Sequence, residues 1–244
     1  MIRLPWRRSG KRTIAGETTL EIGGRSVPLR IKRDWRARRL TLRIDTMSDT
    51  AVVTLPPWVP VREGMDLAIG EAPWILAKLA ARPTRVAFAD GASIPILGVP
   101  HRIVHRPDRT GGVSAEDGIV SVTGRTEHLA RRVADWLKRE ARRQIAGRVE
   151  EKAARLGCRY GRISVRDTTT LWGSCSPKGD LSFCWRLVMA PEFVLDYVVA
   201  HEVAHLKNRT HGPGFWKIVQ ELTEDTGMAR TWLTTQGESL HRYG

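Results

Sequence analysis

The chain has 244 residues, 41% of them hydrophobic, with 40 Lys and Arg against 26 Asp and Glu for a formal charge of +14. That length and apolar fraction suffice for one or two domains with buried cores and exclude a wholly disordered chain. No run approaches the roughly 18 apolar residues of a membrane-spanning helix, and the basic first ten residues lead into no apolar signal core, so a soluble cytoplasmic protein without membrane insertion is expected. Cys158, Cys175 and Cys184 are odd in number and lack CxxC spacing, which predicts buried packing and not a disulfide framework or a cysteine metal site.

The charge is lopsided. Residues 1–40 hold twelve Lys and Arg and three acids, a net of +9, which leaves +5 for the rest of the chain. Such a segment sets up a local positive field that draws polyanions such as nucleic acid or nucleotides. Residues 1–15 read as a basic arm. Residues 18–22 and 25–31 then read as strands joined by a tight turn, because Gly23-Gly24 supplies positive φ. Leu40, Leu42 and Ile44 alternate with Thr41 and Arg43 at the period of a half-buried strand, with 51–55 as its hairpin partner. After Pro56-Pro57, residues 61–81 predict a helix broken near Gly70 and Pro73. Short apolar runs at 86–88, 94–97, 101–104 and 119–122 predict further antiparallel strands, with Gly111-Gly112 in a loop.

From residue 127 to 156 the period lengthens to that of a helix. Leu129, Val133, Trp136, Leu137, Ile145 and Val149 form an apolar stripe with basic residues around it. Residues 163–166 and 181–187 read as strands flanking a loop over 168–178. In the second, Leu181, Phe183, Trp185 and Leu187 point one way and Ser182, Cys184 and Arg186 the other. The passage from β-rich to helical sequence sets a boundary at 125/126. The expected architecture is α+β: the arm 1–15, a β-rich region 16–125 with one helix, and a second domain 126–244.

Pro191 suits the first turn of a helix running over 192–206. Within it stands His201-Glu202-Val203-Ala204-His205. Positions i and i+4 stack one turn apart, so both imidazoles can reach one metal ion, while the intervening Glu can meet a bound water without being a ligand. His211 completes the pattern His-Glu-x-x-His-x5-His. To bring it back, the chain must turn after His205, and Asn208 in the left-handed conformation is expected to end the helix. Gly212-Pro213-Gly214 then delays a fresh helix over 215–226. Three neutral nitrogen ligands leave a tetrahedral zinc with one open position, the mark of a catalytic site, with Glu202 as the general base.

These residues resemble the YgjP-like metallopeptidase family, related to SprT-like and WLM zinc proteases. The resemblance rests on Leu171-Trp172-Gly173-Ser174-Cys175-Ser176, the strand at 181–187, Met189-Ala190-Pro191-Glu192, the stretch from Asp196 to Leu206, and His211-Gly212-Pro213-Gly214-Phe215-Trp216. It implies a zincin-like domain with one Zn2+ on His201, His205 and His211 and Glu202 as base. It further implies that the strand before the active-site helix is a sheet edge, where Ser182, Cys184 and Arg186 would line an extended peptide. Trp172 and Tyr197 are further candidate substrate contacts. The expected activity is a zinc metallopeptidase acting on protein or peptide. The alternatives are a metal-dependent nucleoside triphosphate (UTP-type) pyrophosphatase and a protease tethered to nucleic acid through residues 1–40.

Overall fold

The computed structural model describes residues 12–45, 48–80 and 84–244, so most of the basic arm lies outside the described residues. The chain divides into two compact units, 1–83 and 84–244. The boundary expected at 125/126 therefore falls inside the second unit. Residues 12–15, expected in the arm, are strand.

In the first unit, β1 (Arg12–Ile22) and β2 (Arg25–Asp34) form the expected antiparallel hairpin. Gly23 and Gly24 both take positive φ, 55° and 74°, the pair of angles that a two-residue turn of the favoured hand requires. β3 (Thr41–Asp45) pairs antiparallel with β4 (Thr50–Leu55), and β4 lies parallel to β2, giving the order β1-β2-β4-β3. α1 (Val61–Gly70) and α2 (Ala72–Ala80) are separated at Glu71, where the break was expected. Their Ala68 and Ile75 join Leu20, Val27, Leu29, Ile31, Val53 and Leu55 in one core.

The second unit begins with a mixed sheet. β5 (Ser93–Ile96), β6 (Val99–Arg106), β7 (Val113–Glu116) and β8 (Ile119–Thr123) lie in the order β5-β6-β8-β7, with β6 and β8 parallel where antiparallel pairing was expected. α3 (Leu129–Leu156) buries Leu129, Val133, Leu137, Ile145 and Val149 of the expected stripe together with Ala141 and Ala153, leaves Trp136 half-buried, and stops at Gly157 with φ 63°. That stripe packs into the same core as Ile94, Ile103 and Val120 of the sheet. This shared core explains why the change of period near 125 is not a domain boundary.

A second sheet contains β9 (Ile163–Arg166), β10 (Gly173–Cys175) and β11 (Leu181–Cys184). Its order is β10-β11-β9. β11 is thus the central strand, not the edge expected there, and the sheet's two edges are β10 and β9. β11 also ends at Cys184, where a 3-10 turn over Trp185–Met189 takes over. Alternation fails because both faces are covered: Cys184, Trp185, Arg186 and Leu187 are all buried.

Candidate metal centre

α4 (Glu192–Ala204) is buried along most of its length, with Val194, Leu195, Val198, Val199 and Val203 in the core. Pro191 is its N-cap, one position before the expected first turn. Asp196 fixes the helix against α3: its Oδ1 lies 2.8 Å from Lys152 Nζ, which also donates to Leu222 O at 2.9 Å. Lys152 is 3% exposed, so its charge depends on these partners. Asp196→Ala leaves a buried ammonium without its counter-ion, and we expect a loss of roughly 2 kcal/mol, discounted from that of a fully buried pair because Asp196 is partly solvated; denaturant unfolding measures it.

The helix ends at Ala204, and the chain turns through Leu206 N to Val203 O, Lys207 N to Ala204 O and Asn208 N to Ala204 O. Asn208 does not take positive φ; among the described residues the non-glycine residues that do are Asp49, Leu97 and Asp117. It acts instead through hydrogen bonds. Its carbonyl accepts from His205 Nδ1 at 3.1 Å, and its Oδ1 accepts from Thr210 N and Thr210 Oγ1, both at 3.1 Å. Arg209 pins the turn by donating to Ser176 O and Pro177 O at 2.9 and 2.7 Å. α5 (Pro213–Leu222) then starts with proline in its first turn, two residues before the expected start. α6 (Thr226–Thr235) follows, an element that sequence periodicity did not reveal.

These turns bring His201, His205 and His211 together, one ligand atom from each lying within 4.8 Å of the others. His201 Nε2 and His211 Nε2 are 3.1 Å apart. Nitrogens bound about 2 Å from a tetrahedral ion sit roughly 3.3 Å from one another, so the pair is already spaced for one. Phe215, fully buried, packs against all three rings at centroid distances of 4.9, 4.5 and 4.7 Å. Burial lowers all three histidine pKa values, that of His201 to about 3 with added repulsion from His205, His211 and Arg230. Neutral imidazole is the form that binds metal. The Nδ1 hydrogen bond of His205 leaves its Nε2 free for the cluster. The residues present fit a divalent ion with a preference for nitrogen ligands.

Glu202 is 7% exposed, and burial pushes its carboxyl up to about 8. It faces Gly173 of β10: a Cβ there would come within 2.6 Å of Glu202 Cγ and 2.8 Å of Oε1. The outer strand of the sheet thus runs directly past the carboxylate, and only a residue without a side chain fits.

Tyr197 belongs to the cluster, its ring 5.9 Å from that of His201 and its hydroxyl pushed up to about 12 by burial. Trp172 does not; it stacks on His241 at 5.3 Å and packs against Gly237. Ser182 is paired through its backbone to Ser174 on one side and Ser164 on the other. Cys184 is buried, its thiol donating to Thr168 O. Arg186 is buried against Asp167 at 3.0 Å and donates to Leu240 O and Tyr243 O. Both edges of β11 are thus already paired and Cys184 and Arg186 are buried, so the open peptide-binding edge expected of these three residues is not formed by them. Two other residues stand at the site without having been singled out by the sequence: Gly173, visible only as part of a motif, and Arg230, whose guanidinium lies 4.9 Å from the centre of the Trp216 ring.

Two imidazoles and a buried carboxylate at the end of α4, joined by a third imidazole from the following loop and lying beside an edge strand, are the equipment of a metal-dependent hydrolase. The chain belongs to the YgjP-like family, whose metallopeptidase domain matches residues 38–236. Membership implies a metal ion, and the histidine cluster can hold one. Among solved structures, the metallopeptidase zymogen of Pyrococcus abyssi abylysin is 23% identical, covering 38% of this chain and 95% of that one with a TM-score of 0.34. The metallopeptidase zymogen of Methanocaldococcus jannaschii jannalysin is 20% identical, covering 39% and 96%, also at 0.34. No curated protein matches the chain. No helix among the described residues is long and apolar enough to cross a membrane.

Proposed function

We propose that the chain is a zinc-dependent peptidase with His201, His205 and His211 as metal ligands and Glu202 as the general base. The observation that carries this reading is the convergence of three neutral imidazoles beside one buried, unpaired carboxylate. An ion held there supplies Lewis acidity and lowers the pKa of water. Glu202 then takes a proton on its carboxylate and passes it to the leaving amine, a task suited to a group poised near neutral pH. Tyr197, held protonated by burial, can donate a hydrogen bond to an oxygen that gains charge. The edge of β10 next to Glu202 offers backbone groups to an extended substrate, the role first expected of 182–186. Three free cysteines suit the reducing cytoplasm.

Two measurements test the reading. Purified protein should carry about one equivalent of zinc, and His211→Ala should retain little of it through dialysis, because the remaining two ligands lie on α4 alone. Zinc-loaded protein should cut unfolded proteins or peptide libraries; an intact library after prolonged incubation removes peptidase activity from the account. Nucleoside triphosphate hydrolysis is a second reading, favoured by the positive Arg230 near the cluster, and pyrophosphate release from a nucleotide panel decides it. The contact of residues 1–40 with nucleic acid is a further proposal. It requires salt-sensitive binding whose log–log slope shrinks when residues 3–12 are deleted.

A further inference from the structure

Arg230 has no role in the peptidase chemistry proposed above, yet the chain holds it at the site. Its guanidinium sits over the Trp216 ring, and that ring packs 5.9 Å from both His201 and His211. Its charge is felt at Tyr197 and at His201, where it opposes protonation. The side chain is only partly exposed, and among the described residues it forms no ion pair and no hydrogen bond. Two other arginines of this unit that lose solvent have carboxylate partners, Arg186 with Asp167 and Arg148 with Glu192 and Asp196, whereas Arg132 donates to Thr123 O and Arg242 stacks on Tyr243 away from the histidine cluster. Among the described residues, Arg230 is the one whose stacking partner packs against His201 and His211. A half-buried cation without a counter-ion is costly, and stacking on tryptophan recovers part of that cost while leaving the planar fork of N–H donors unspent.

We propose that Arg230 forms an anion subsite that receives a carboxylate of the substrate close to the scissile bond. The site would then prefer peptides cut near a free C-terminus, or before an acidic side chain, over neutral ones. The inference rests on the peptidase reading, but the subsite itself can be measured without turnover. A guanidinium pairs with carboxylate through two parallel hydrogen bonds, and desolvation by Trp216 strengthens that pairing.

The test uses zinc-loaded protein and three matched peptides: one with a free C-terminal carboxylate, its C-terminal amide, and an amide with an internal Asp. In the inactive background Glu202→Gln, calorimetry should show at least one carboxylate peptide binding about tenfold more tightly than the neutral amide. Arg230→Ala in that background should bring the ratio to about one, and Arg230→Lys should restore part of it. The free-end and internal-Asp peptides tell which carboxylate is read. Equal binding of all three peptides overturns the proposal, as does a preference that survives Arg230→Ala. Arg230-dependent binding of inorganic phosphate with no carboxylate preference also overturns it and assigns the subsite to a phosphoryl group. If the preference holds but active protein cuts none of the peptides, the peptidase reading falls and the carboxylate subsite stands.

Discussion

Glu202→Gln is expected to lower peptide turnover by about 10³-fold while leaving zinc content and fold intact, because it removes the proton acceptor but keeps the side chain's shape. The same substitution should stabilise the metal-free protein. Burial raises the Glu202 carboxyl from 4.5 to about 8 in the folded state. Between those values the folded protein holds a proton that the unfolded chain releases, so stability is full below pH 4.5 and is lost as pH rises through 8. Glutamine cannot ionise and escapes that loss. The gap in unfolding free energy between variant and wild type should open across this window, to the order of a few kcal/mol by pH 8. His201, depressed to about 3, works from the other side: its contribution is present above 6.5 and lost as pH falls. Both proteins carry it, so their difference isolates Glu202. Denaturant titrations of metal-free samples at pH 4, 6 and 8 measure the gap; a constant difference would mean that the carboxylate is solvated and not buried.

That antagonism gives the metal a part in stability as well as in chemistry. A cation bound to the three imidazoles favours the ionised carboxylate beside it, and it has nitrogen donors that burial keeps free of protons. Near neutral pH the empty site keeps its carboxyl protonated and its imidazoles neutral, and a cation bound there would draw the proton off Glu202. The proposed base is thus a group whose ionisation the metal-free fold disfavours.

Where sequence was informative, the responsible interactions are local. Gly23-Gly24 turns a hairpin through backbone angles that need no distant partner, and the i, i+4 spacing of His201 and His205 is a property of the helix itself. The apolar stripe of α3 is equally self-contained. What escaped depends on pairing across the fold. Strand periodicity at 181–187 did not say that this strand would lie between two others, and the sheet places it between β10 and β9. The return of His211 depends on Asn208, but through its hydrogen bonds to His205 and Thr210 and not through a left-handed angle. Arg230 lies 29 residues after His201 in a helix without a recognisable motif, so only packing could bring its charge to the site.

Gly173 makes the dependence on packing measurable. Gly173→Ala puts a methyl carbon within 2.6 Å of Glu202 Cγ and 3.0 Å of Cδ, closer than atoms tolerate. The clash involves the middle of the glutamate side chain, and its surroundings are buried, so a small rotation of the carboxylate end cannot relieve it. Either β10 shifts outward or Glu202 changes rotamer, and both move the base relative to the outer strand. A displacement of about 1 Å in a catalytic group costs on the order of 10²-fold in rate, so Gly173→Ala should lose activity on that scale while retaining its zinc. Ser174→Ala, one residue along the same strand, keeps the backbone pairing with Ser182 and adds no atom near Glu202, and it should fall within a few fold of wild type. Kinetics and metal analysis of the pair separate loss of the ion from misplacement of the base. Full activity in Gly173→Ala would mean that β10 yields without disturbing the carboxylate, and would overturn the claim that this strand fixes the position of Glu202.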